Sequence, residues 1–139
     1  METKKSIFGI RLGIVLNFFS LLSIVLIFEY RGIYGWTNVF KVIELALIIL
    51  LFISFYLSFI KTGLWKFTHK ALKKLDEREI VLINKSLRHG YAIFSVAVLC
   101  LLLFLALSSK TISIVTATSL ILFAHLIPAS IIGWTEKRF

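Results

Sequence analysis

An acid, an imidazole and a thiol lie inside long apolar runs of this chain. Polar groups are costly in such runs, so function is the first thing to ask of them. Glu44 sits near the start of the run 40–60, three residues after Lys41 and on roughly the same helical face as Leu51, Ser54 and Ser58. A carboxylate there serves either as a proton or cation ligand, or as an interfacial partner of Lys41 or Arg31. His125 falls near the middle of the run 112–134, with Thr118 and Ala129 on its face. Three residues on, Pro128 removes a backbone hydrogen bond to the Ala124 carbonyl. That pattern fits a proton relay or ligand pocket at a bent helix, and equally a neutral histidine bonded to a neighbouring helix. Cys100 is the one cysteine and reads as a small buried apolar residue; no disulfide framework is possible within one chain.

Catalysis needs several polar groups converging at one depth. Glu44 and His125 are expected on different levels. The acids Asp76, Glu77 and Glu79 share a polar segment with His89, the one place where an interfacial lipid-modifying chemistry could gather, but nothing pairs them on a defined scaffold. No H-E-x-x-H, phosphate-binding loop or Gly-x-Gly-x-x-Gly occurs. No cysteine pair offers a metal site. A membrane haem usually takes two axial ligands, and with His69 and His89 in the polar segment His125 has no evident partner at its depth. The expectation is no catalytic residue, no metal, no cofactor and no enzyme. A net charge of +9 raises nucleic acid as a partner, yet no fold to read it is visible, and topology explains the charge more simply.

The elements that carry these residues follow from hydropathy. The chain has 139 residues, 59% of them hydrophobic, and a mean hydropathy of +0.95, against about 45–50% apolar in soluble domains. The excess falls in four runs, 7–28, 40–60, 91–107 and 112–134, each near the roughly 20 residues that cross a bilayer core. They do not alternate as barrel strands would. The expected fold is all-α: an integral membrane four-helix bundle forming a single domain over 1–139, two transmembrane hairpins joined by a helical cytoplasmic connection over 61–90. The first run is longer than a signal-peptide core and lacks a small-residue cleavage site, so it reads as a retained helix.

Orientation comes from Lys and Arg, which resist translocation. Lys61, Lys66, Lys70, Lys73, Lys74, Arg78, Lys85 and Arg88 fill the central segment; Lys4, Lys5, Arg11, Lys137 and Arg138 flank the ends; Arg31, Lys41 and Lys110 alone fall on the opposite side. Both termini and the connection are therefore expected in the cytoplasm. Tyr30, Tyr34 and Trp36 are placed at the outer interface, and Trp65, Tyr91 and Trp134 at the inner one.

Within the connection, Leu64, Phe67, Ala71 and Leu75 share one helical face, with Lys66, Lys70 and Lys73 opposite. This is either an interfacial basic helix, whose Lys66, Lys70, Lys73 and Lys74 contact anionic headgroups, or an extension of the second span. Asp76 followed by Glu79 matches a capping box, so a helix should start there, with Glu77 also suited to its positive end and Gly90 a point of bending. The alternative for Asp76, Glu77, Arg78 and Glu79 is a charged docking site. The run Lys73-Lys74-Leu75-Asp76-Glu77-Arg78-Glu79 before an apolar span resembles small bacterial multi-span membrane proteins of unknown function that carry an Asp-Glu-Arg-Glu motif after a transmembrane hairpin. The resemblance implies a bacterial inner-membrane protein and carries over no catalytic residue.

Gly9, Gly13, Asn17 and Ser20 form the clearest stripe, spaced four, four and three along the first helix. Small residues let helices approach, and Asn and Ser can bond across. It is a packing face, within the chain or to a partner. The functional expectation is a non-enzymatic accessory or interaction subunit, self-associating or bound to a larger membrane partner; the alternative is a small oligomeric transporter or channel using Glu44 and His125.

Overall fold

The computed structural model describes residues 2–35 and 37–136, with the backbone alone described for residues 2–6 and Leu72. Trp36, Lys137 and Arg138 thus lie outside the described residues. The described regular structure is entirely helical: α1 (Glu2–Tyr34), α2 (Asn38–Phe55) prolonged by a π-helical turn (Tyr56–Ile60), α3 (Leu64–Thr68), a 3-10 turn (Leu72–Lys74), α4 (Glu77–Leu107) and α5 (Ile114–Thr135). Four stretches are long and apolar enough to cross a membrane: Ile7–Tyr34, Asn38–Ile60, Glu77–Leu107 and Ile114–Thr135. The chain divides into two compact units, Met1–Thr62 and Gly63–Phe139.

In the first unit α1 packs along α2. Gly35, at φ +89°, lets the chain leave α1, its N–H donating to the Arg31 carbonyl at 2.8 Å. A positive φ costs glycine little. Thr37 then caps α2, its hydroxyl oxygen accepting from the Phe40 N–H. The Tyr30 ring lies 4.5 Å from Tyr34 and meets Phe40 edge-on at 5.6 Å, closing the turn with aromatic contact. At the far end of α2 the Lys61 N–H reaches back five residues to the Tyr56 carbonyl at 2.8 Å, making the π turn that carries buried Ser58 and Phe59.

The second unit opens with Gly63 at φ +82°, in the left-handed conformation that stops a helix. The continuous helix expected over residues 64–75 does not form: α3 makes little more than one turn, and a short 3-10 turn follows. One turn is far below the length at which a helix holds by itself. Leu64 is fully buried and α3 packs on α5, so tertiary contact sets the path of this segment.

α4 begins where its local chemistry directs. The Asp76 carboxylate accepts the Glu79 N–H at 2.7 Å, and the Glu79 carboxylate accepts the Asp76 N–H at 3.2 Å, the reciprocal capping box. The helix then runs 31 residues without interruption, so the connecting helix and the third span are one element. It stays α-helical through Gly90, which serves close packing: a Cβ there would lie 3.2 Å from Ile127 Cγ2 and 3.3 Å from Pro128 Cγ. Phe94 and Phe123 continue the α4–α5 seam. Ser113 caps α5 by accepting the Thr116 N–H at 3.1 Å, and α5 continues through Pro128.

Candidate functional site

The stripe on α1 meets the polar face of α2. Asn17 is fully buried, and its amide nitrogen donates to the Leu51 carbonyl at 3.1 Å and the Ser54 hydroxyl at 3.0 Å. A methyl group on Gly13 would overlap the Ser58 hydroxyl. Two members of the stripe behave otherwise than expected. Ser20 is buried but donates to the Leu16 carbonyl of its own helix at 2.7 Å. Gly9 is exposed, with open space where a Cβ would be, so the packing face begins at Gly13. Asn17 Oδ1 and Ser58 Oγ are buried with no hydrogen-bond partner among the described residues.

Toward the turn between α1 and α2, Arg31 Nη1 lies 3.1 Å from Glu44 Oε2, with the two side chains 9% and 15% exposed. The guanidinium also sits 3.9 Å from the centre of the Phe28 ring. Of the two cations weighed for Glu44, the pairing is with Arg31; Lys41 is exposed. The geometry compensates two charges that would be costly apart in a low-dielectric setting.

His125 is brought beside a residue that sequence reasoning had set apart. His69 and His125 line one groove of about 250 Å³ with Thr68, Ile83, Leu87, Ala124 and Pro128. The sequence places His69 in the polar segment apart from His125, and the fold puts both on this groove. Each ring places Nδ1 2.9 Å from the carbonyl four residues before it, Trp65 for His69 and Ile121 for His125. A carbonyl only accepts, so Nδ1 holds the proton and Nε2 is left as each ring's basic nitrogen. No local spacing signals this neighbourhood, which depends on the packing of α3 on α5. Among the described residues no three His, Cys, Asp or Glu side chains converge as a metal cage.

The acids of the connection do not gather around His89. Asp76 and Glu79 cap α4, and Glu79 also holds Lys70 Nζ at 2.8 Å. His89 lies ten residues farther along the same helix, about 15 Å at 1.5 Å per residue. It belongs instead to a shallow groove of about 710 Å³ on one face of α4, lined by Val81, Asn84, Lys85, Arg88, His89 and Ala92. Glu77 and Arg78 are exposed on the first turn of α4, as are Lys66, Lys73 and Lys74 on the segment before it. Cys100 is exposed on α4, which corrects its reading as a buried apolar residue. Comparison with known proteins adds no relative: no family model, no curated protein and no solved structure matches the chain.

Proposed function

We propose that this chain is a four-span protein of the bacterial inner membrane, its termini and central segment cytoplasmic, working as a non-enzymatic accessory subunit that binds another transmembrane helix. The observation that carries the reading is a stripe on α1. Phe8, Leu12, Val15, Phe19, Leu22 and Leu26 are all exposed and follow one another at steps of four and three residues. That is the 3.5-residue repeat with which helices interlock side chains along a seam. The opposite face of α1 is already occupied, since Gly13, Asn17 and Ser20 turn inward. The partner-binding surface is therefore the bulky stripe rather than the small-residue one.

The burial pattern supports a bilayer as the surrounding medium. In α4 only 6% of the most apolar 18-residue window is buried inside the chain. An apolar surface of that extent is sustained by lipid or by another protein, not by water. The transporter reading has less support, because Glu44 is committed to Arg31.

The test is site-specific photocrosslinking in native membranes, with the probe moved residue by residue from Leu12 to Leu26. The expected result is protein adducts that peak at Leu12, Val15, Phe19, Leu22 and Leu26 and fall between them. Lipid adducts alone, or adducts without that period, contradict the interaction role.

A further inference from the structure

We propose that α4 carries a discrete site for one anionic glycerophospholipid of the inner leaflet; the proposal rests on the membrane reading above. Val81, Lys85, Arg88, Ala92, Val96, Leu99 and Leu103 recur at steps of three and four residues and are all exposed, so they form one continuous face of the helix. Its first part is cationic and polar, Lys85 and Arg88 flanked by Asn84 and His89 in a single groove. Its second part, from Ala92 to Leu103, is wholly apolar.

The dimensions fit one amphiphile. From Arg88 to Leu99 is eleven residues, about 16 Å of helix at 1.5 Å per residue. One leaflet's half of the roughly 30 Å hydrocarbon core has the same depth. A phosphate placed at Lys85 and Arg88 would therefore lay its acyl chains along Ala92, Val96 and Leu99.

Lys85 also borders grooves that hold Glu77 and Glu136, but no ion pair forms at the head of this face among the described residues. The Lys85 and Arg88 side chains have no acidic partner within ion-pair distance among the described residues, in contrast to Lys70, which is engaged by Glu79. His89 Nδ1 lies 2.7 Å from the Lys85 carbonyl. That carbonyl accepts the Nδ1 proton, leaving Nε2 to take a hydrogen bond from a headgroup hydroxyl. Asn84 adds an amide donor. Arginine suits bidentate phosphate contact and lysine acts as a point charge beside it. Anionic-lipid contact, expected from Lys66, Lys70, Lys73 and Lys74, is thereby assigned to a different set of residues, because the helix that would have aligned those lysines does not form.

The experiment reconstitutes the full chain in nanodiscs of phosphatidylcholine containing a minority of phosphatidylglycerol, and native mass spectrometry counts retained lipid. The wild type should keep one phosphatidylglycerol in preference to phosphatidylcholine. Lys85→Ala with Arg88→Ala should weaken that retention about 25-fold, the product of roughly fivefold for each cation. The charge-keeping exchange Lys85→Arg with Arg88→Lys should stay within a few-fold of the wild type, which separates charge from folding. Lys73→Ala with Lys74→Ala removes equal charge and should leave retention unchanged. An equal loss from that control, no preference in the wild type, or displacement of the lipid by inorganic phosphate alone would each overturn the assignment. A chain that does not enter the nanodisc refutes the membrane reading, whereas an embedded chain without lipid preference refutes only this site.

Discussion

Removing one partner of the Arg31–Glu44 pair should cost far more than removing both. The pair is at 3.1 Å with 9% and 15% of the side chains exposed. Breaking a buried ion pair on one side costs about 3–5 kcal/mol, since the remaining charge is desolvated without compensation. The residual exposure and the position near the end of the hairpin argue for the lower bound. Glu44→Leu and Arg31→Met should therefore each destabilise the first hairpin by about 3 kcal/mol, roughly a hundredfold in the unfolding equilibrium. In the double variant no charge remains to be compensated, so its cost should fall below that of either single change. Arg31→Lys keeps the charge but loses the planar fork and weakens the stack on Phe28, for an intermediate cost of about 1 kcal/mol. The assay is reversible SDS titration of the protein in mixed micelles, followed by circular dichroism, with the four corners of the double-mutant cycle measured under one condition. Additive costs, with the double variant near the sum of the singles, would refute the claim that these charges stabilise one another.

Two further predictions come from contact geometry and capping. Gly13→Leu should separate α1 from α2 and lower the same titration midpoint sharply, because the side chain would overlap Ser58, whereas Gly9→Leu should shift it by no more than about 0.5 kcal/mol, as Gly9 faces open space. Asp76→Ala should remove the Asp76 half of the capping box, costing about 1 kcal/mol; hydrogen exchange should quicken at the first turn of α4 while amides beyond Gly90 keep their protection, and uniform quickening along the helix would contradict a local cap.

What could be read in the sequence was local or periodic. The Asp76–Glu79 cap needs only three intervening bonds of helical geometry, and it forms as its spacing indicates. Asn17 and Gly13 lie on one helical face by periodicity alone, and that face is the buried one. Long-range geometry was less legible. Periodicity puts Gly9 on the same stripe, yet it extends past the contact with α2 and stays open. Arg31 and Glu44 are thirteen residues apart, and choosing Arg31 over Lys41 depends on how the intervening turn closes. The approach of His69 to His125 requires the left-handed turn at Gly63 and the packing of α3 on α5. The hydrophobic stripe of residues 64–75 predicts one continuous helix, where the chain forms a single α-helical turn and a 3-10 turn.

The four-span topology is tested most directly by the side of the bilayer that each turn occupies. In a Cys100→Ser background, single cysteines placed at Thr37, Thr111, Lys73 and Glu136 can be labelled with a membrane-impermeant maleimide in intact cells and again after permeabilisation. Four spans with inner termini predict immediate labelling at Thr37 and Thr111, and labelling at Lys73 and Glu136 only once the membrane is opened. Equal reactivity of all four positions before permeabilisation, or recovery of the chain in the detergent-free soluble fraction, would contradict it.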